Sequence, residues 1–191
     1  MTLKYKLVLG SGSARRKELL KFISNDFRIT VSDIDEECSQ SLPELYVQEV
    51  ALNKSKALKI ENDELLITAD TIVFIEDKFL GKPRNREHAF QMLKKLSGAA
   101  HKVYTGVCLR TNLFTDVFYE CTEVFFRELS DNEIYYYIDA FSPYDKAGAY
   151  GIQDFGLVFI QGIKGDYYNV MGFPVTSVYK KLLERGIIKY E

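Results

Sequence analysis

LVLGSGSARRKELL, residues 7–20, opens on three apolar residues that read as a strand. It then bends through Gly-Ser-Gly-Ser and leaves through Ala-Arg-Arg into an amphipathic helix. Small residues permit a tight bend and close backbone approach, and a helix start offers unpaired N–H donors. Arg15 and Arg16 fall in the first helical turn, where the dipole favours acids instead. A bound anion resolves that conflict, in a loop that also carries the hydroxyls of Ser11 and Ser13. Taken alone, the segment is equally an ordinary strand-to-helix turn capped by Ser13. It is neither a Walker loop nor a GxGxxG fingerprint.

Outward from this unit, strand signals fall near 5–9, 27–31, 65–75, 103–110, 117–127 and 156–161. Helical patterns fall near 13–23, 43–60, 86–97, 130–139 and 174–185, with Pro174 suited to the N1 position of the last. Glu76-Asp77-Lys78 reads as a hairpin turn. Strands and helices alternate early and strands dominate the middle, the pattern of an α/β fold with a mixed sheet. With 191 residues and no repeat or linker-like run, the expectation is a single domain over 1–191.

Hydrophobic residues make up 47% of the chain, with 13 Tyr and 13 Phe, which excludes a disordered protein. Net charge is −2, so no general basic surface for nucleic acid or membrane is expected, and any affinity for an anion must be local. Cys38, Cys108 and Cys121 form no CxxC pair, and the chain has only two histidines, which argues against a zinc site. Sparse cysteines, no signal-like apolar run and no stretch of 18 apolar residues point to a soluble cytoplasmic protein.

Chemistry enters at a few positions where charge interrupts an apolar pattern. On the helix at 43–60 the apolar stripe runs Val47, Val50, Ala51, Ala57, Leu58, and Lys54 lies on it. A core-facing lysine must snorkel or meet an anion. Asp70 interrupts the apolar run 65–75; it sits either in a continuous strand, hydrogen-bonded, paired or bound to a cation, or in an Asp-Thr bulge or turn between two shorter strands. Thr71 offers a hydroxyl beside it. Gly81-Lys82-Pro83 alone reads as a surface loop, but the proline orients the lysine, which beside Asp70, Lys54 and Arg15 becomes a further candidate cation. The acidic run 33–37 reads as a solvated loop, from which Glu36 is the guess for a Mg²⁺ ligand. In Asp145–Gly156 three glycines surround Gln153, whose amide can both donate and accept towards a base edge; the plainer reading is a packed turn region.

Together these segments resemble the Maf family of nucleoside triphosphate pyrophosphatases. The blocks that carry the resemblance are GSGSARRKELL, NKSKA, ADTIV, GKPRNREHAFQMLKKLSGAAHKVYTGV, DKAGAYGIQDFG and GDYYNVMGFP, in family order over most of residues 7–176. GIQ and the Arg-Arg pair are similar to the branch acting on dTTP and UTP rather than the sister branch acting on 7-methyl-GTP. The family often has proline at Ala14 and alanine at Gly10, departures that remove no charged or hydroxyl group. The resemblance implies a mixed twisted sheet flanked by helices around a central cleft, related to inosine triphosphatases. It implies hydrolysis of a pyrimidine nucleoside triphosphate to monophosphate and pyrophosphate, with a divalent cation (Mg²⁺ or Mn²⁺) and a homodimer. By that likeness Asp70 is the proton acceptor or a metal ligand, and Lys54 and Lys82 are triphosphate ligands. Arg15, Thr71 and Gln153 then bear on substrate choice. The other reading the resemblance leaves is a non-catalytic nucleotide-binding regulator of septum formation.

Overall fold

The computed structural model describes residues 1–32, 34 and 38–190. In chain order the elements are β1 (Thr2–Leu3), β2 (Lys6–Leu9), α1 (Ala14–Leu20), β3 (Phe27–Ile29), α2 (Pro43–Lys56), β4 (Glu64–Ile75), β5 (Lys78–Leu80) and α3 (Arg86–Leu96). There follow β6 (Ala100–Arg110), β7 (Thr115–Phe126), α4 (Asp131–Phe141), β8 (Ile160–Lys164), α5 (Tyr167–Val170), α6 (Val175–Glu184) and β9 (Ile188–Lys189). Among the described residues one sheet holds seven strands in the order β3-β2-β4-β6-β7-β8, with β5 on β4; β1 and β9 pair separately. β2 runs parallel to β3 and β4, whereas β4–β6, β6–β7 and β7–β8 are antiparallel pairs, so the sheet is mixed as expected.

β4 organises the molecule. Its twelve residues are almost wholly buried, as a run covered on both faces requires. Successive side chains alternate between the faces. Thr68, Asp70 and Ile72 face α2, where the Thr68 hydroxyl donates to the Ala51 carbonyl at 2.7 Å and Ile72 packs with Val47. Leu65, Ile67 and Ala69 face the other way, into a core with α1, α6, Phe173 and Leu182. Val73 and Ile75 join a second core on α3, α4 and the Phe126, Tyr137 and Phe159 rings. Thr71 is the one polar residue of this second series, and it stands where one core ends and the other begins.

The edge of β4 away from β6 changes partner at the same point. β2 pairs with Glu64–Ile67 and β5 with Val73–Ile75, so residues 68–72 pair only with β6. On the far side of β2, Arg28 of β3 forks onto Glu64 at 2.6 and 2.7 Å, and this bond holds the glutamate carboxyl down at about 2.

Asp70 lies in a continuous strand. Its register with β6 is unbroken from Leu66↔Arg110 to Phe74↔Lys102, which removes the bulge alternative. The strand expected over 156–161 is corrected: Phe155–Phe159 is a 3₁₀ turn, and β8 begins at Ile160. The reason is local. Asp154 accepts from the Gly156 N–H at 2.9 Å and starts the turn, which presents Phe155 and Phe159 to Tyr137. Pro174 is the residue just before α6 rather than its first helical position.

Gly106 sits opposite Asp70 on β6, and a Cβ there would lie 2.2 Å from the Val47 carbonyl oxygen of α2. Backbone cannot yield as a flexible side chain can. Gly106→Ala is therefore expected to destabilise the protein by about 2–3 kcal/mol and to lower its melting temperature by roughly 5–10 °C in calorimetry. An unchanged melting temperature would show that α2 does not rest on this strand as described.

Candidate active site

Two cores separated at Thr71, a break in the pairing of one strand edge and a short helix leaving β2 leave a cleft of about 690 Å³ between them. That volume suits a nucleotide. The cleft gathers Ser11, Ser13, Arg15, Lys54, Asp70, Thr71, Lys82 and Gln153, which the sequence distributes over more than 140 positions. Glu36 lies outside the described residues.

Lys54 is in the last turn of α2, beyond the buried Val47, Val50 and Ala51. Its Nζ meets Asp70 Oδ1 at 2.7 Å, with only 13% and 8% of the two side chains exposed. The lysine thus does not snorkel. Partial exclusion of water strengthens the attraction and raises the cost of breaking it. Asp70 lines the cleft, and no described residue forms a hydrogen bond to its Oδ2.

The two arginines of the first turn diverge. Arg16 turns inward: its guanidinium donates to the Gly172 carbonyl at 2.8 Å, to Thr71 Oγ1 at 3.1 Å and to Ser11 Oγ at 3.2 Å. Thr71 also shares a 3.0 Å bond with Thr105, which donates to the Asn169 carbonyl at 3.1 Å. This network ties α1, β4, β6 and α5 together behind the cleft. Arg15 faces the mouth and pairs with Asp145 at 2.7 Å. Ser13 caps the helix, accepting from the Arg16 N–H at 3.4 Å. Because α1 has only seven residues, its dipole adds little, and the positive charge of this wall comes from side chains.

Sequence reasoning missed Asp145 and Lys146. In that segment the glycines and Gln153 carry the sequence signal, yet Lys146 lines the cleft and pairs with Asp145 at 2.7 Å. Tyr46, from α2, also lines it; an aromatic on a half-buried helix gives no sequence signal of that role. Lys82 and Gln153 are exposed at the rim. The Gly81 carbonyl accepts from the Gly148 N–H at 3.0 Å, which joins their two loops.

Among the described lining residues five are cationic (Arg15, Arg16, Lys54, Lys82, Lys146) and two acidic (Asp70, Asp145). A chain of net charge −2 has thus concentrated positive charge where a polyanion would fit. No histidine or cysteine is among the described residues that line the cleft. Burial pushes the His101 imidazole down to about 3, so it stays neutral and serves as a prop, with Nε2 2.7 Å from the Tyr150 hydroxyl. Among the described residues that line the cleft, Asp70 is the general-base candidate at the floor. For a metal, no group of three or more His, Cys, Asp or Glu occurs among the described residues. A carboxylate beside a polyanion site is, however, a donor Mg²⁺ accepts when phosphates complete its shell.

Residues 6–185 match the family model described as Maf-like protein. The chain belongs to the Maf family. Among relatives of this Maf protein, one from Flavobacterium johnsoniae is 45% identical over 186 residues, covering 94% of each chain. Another from Bacillus cereus is 46% identical over 184 residues, covering 95% of this chain and 96% of the relative. A third from Parabacteroides distasonis is 47% identical over 184 residues, covering 94% and 95%. All three are named dTTP/UTP pyrophosphatase. Among solved structures, a HAM1 protein from Coxiella burnetii superposes with a TM-score of 0.54 at 12% identity, over 94% of this Maf chain and 99% of the other. That likeness extends to the fold, the mixed α/β arrangement expected from the sequence.

The Lys54–Asp70 pair yields a direct stability test. Lys54→Met strands the Asp70 carboxylate and is expected to cost about 3 kcal/mol in urea unfolding. Adding Asp70→Asn to that variant restores at least about 1 kcal/mol, because no buried charge is left to solvate. A double variant no more stable than Lys54→Met alone would mean the two groups do not interact.

Proposed function

We propose that this protein hydrolyses dTTP and UTP to the nucleoside monophosphate and pyrophosphate. The observation that carries the reading is the Lys54–Asp70 pair, 2.7 Å apart on the floor of a cleft lined by further cations. Relatives at 45–47% identity bear the name of that activity.

The roles follow from what each group can do. Asp70 accepts the proton of the attacking water through a carboxylate oxygen. Lys54 fixes that carboxylate and adds positive charge where negative charge grows on the phosphate oxygens. Arg15 and Lys82, on opposite walls, hold the triphosphate, and the Ser11 and Ser13 hydroxyls lie along its path. Gln153 at the rim reads the base edge by donating and accepting together. Thr71 bears on substrate choice less by contact than by seating Arg16 beside the phosphate loop. A divalent cation, Mg²⁺ or Mn²⁺, would be held by Asp70 and supply charge neutralisation at the phosphate oxygens. Work on free nucleotides fits a cytoplasmic location, and a homodimer is the working form this reading takes from the family resemblance.

Incubation with a nucleotide panel and Mg²⁺ or Mn²⁺, followed by chromatography of the products, tests this. The expected products are monophosphate and pyrophosphate, with dTTP and UTP cleaved faster than dCTP, ATP or 7-methyl-GTP. Orthophosphate with nucleoside diphosphate would overturn the reaction, and 7-methyl-GTP ranking first would overturn the specificity.

A further inference from the structure

Asp145 receives two cations at once. Arg15 Nη1 lies 2.7 Å from its Oδ2 and Lys146 Nζ 2.7 Å from its Oδ1, one cation on each oxygen. The two cations come from opposite sides. Arg15 rides on α1, which is anchored in the core of β2 and α6, whereas Asp145 and Lys146 lead into Ala149 and Tyr150 of the other core. The carboxylate therefore spans the cleft mouth. Exposure differs sharply across the triad: 61% of the Asp145 side chain is exposed, against 23% for Arg15 and 13% for Lys146. All three line the cleft, and the acid is the one most open to solvent.

We propose that Asp145 is an internal competitor for the triphosphate: it occupies Arg15 and Lys146 in the empty cleft and yields both to phosphate oxygens. This assigns Lys146 as a further polyphosphate-binding residue and Asp145 as the group that limits how tightly polyphosphate is held. The inference rests on the pyrophosphatase reading above. Partial burial works to raise the Asp145 carboxyl, but hydrogen bonds from Lys146 and Arg15 outweigh it and keep the group below its ordinary range, hence ionised at neutral pH. An ion pair this open to water is weak, and a polyphosphate with several negative charges outcompetes one carboxylate for the same cations. Lys146 does not lose its place when Asp145 leaves. Asp154 Oδ2 lies 3.7 Å from its Nζ, and Asp154 is itself fixed by the Tyr137 hydroxyl at 2.9 Å and the Gly156 N–H at 2.9 Å. A competing acid also serves turnover, because it returns to the cations as pyrophosphate departs.

The test is binding of inorganic tripolyphosphate to the full-length protein by calorimetry, paired with steady-state kinetics on dTTP. Asp145→Asn keeps the shape of the side chain and removes its charge. It is expected to bind tripolyphosphate about five- to tenfold more tightly than wild type, with KM falling by a similar factor and kcat not rising. Asp131→Asn, which removes the same charge from an exposed pair with Lys94 outside the cleft lining, is expected to leave binding unchanged. Lys146→Met is expected to weaken binding about tenfold and to abolish most of the gain from Asp145→Asn. Were Asp145 merely a strut across the mouth, its loss would loosen the cleft, and affinity would fall. Binding equal to or weaker than wild type in Asp145→Asn overturns the proposal. If wild type turns over dTTP and Asp145→Asn shows no tightening, this inference alone fails. If the tightening occurs while wild type releases no pyrophosphate from any nucleotide, the functional reading alone fails.

Discussion

Helix α2 can lie flat on the sheet only because Gly106 has no side chain. With the Val47 carbonyl 2.2 Å from where a Cβ would stand, any other residue on β6 would lift the helix away. That contact fixes the height of α2 over the neighbouring strand, and the Thr68 hydroxyl bonded to the Ala51 carbonyl fixes its slide along it. Lys54 lies one turn beyond Ala51 and Asp70 two residues beyond Thr68, so the same two restraints bring ammonium and carboxylate to 2.7 Å. A buried pair is costly to assemble and costly to break. Here the backbone brings the two groups together, and the site inherits its geometry from the rigid elements.

The opposite face of β4 supplies the space. Its inward series is apolar except at Thr71, and the two cores meet there without merging. The edge of the strand changes from a parallel to an antiparallel neighbour at the same level, which leaves residues 68–72 open on that side. Ligands of α/β sheets commonly bind where strand connectivity reverses, and this break in pairing plays that part. Arg16 then spans the break from α1 to Thr71 and Gly172, so the wall carrying Arg15 is held against the floor carrying Asp70.

Much of this was legible in the sequence, for identifiable reasons. Lys54 and Asp70 stood out because each breaks a strict apolar pattern, one at helical spacing and one inside a strand, and partners that must neutralise each other tend to announce themselves in pairs. The strand-to-helix turn at 7–20 was equally clear. Asp145 and Lys146 were not, because adjacent opposite charges in a turn look like any solvated surface pair. The Thr71, Thr105 and Asn169 network was hidden for a different reason: small polar residues in strands carry no periodic signal until their cross-strand register is known. The 3₁₀ turn at Phe155–Phe159 misled because its apolar residues read as a strand, while the Asp154 cap that sets it is a single side chain.

The central claim is that Asp70 does chemistry and does not merely hold substrate. Its most direct measurement is Asp70→Asn, with dTTP binding read by calorimetry under conditions of no turnover and kcat read from pyrophosphate release. Affinity is expected to stay within a few-fold of wild type and kcat to fall by at least about 100-fold, the usual weight of a positioned base. Turnover that survives the substitution, or a loss confined to binding, would contradict it.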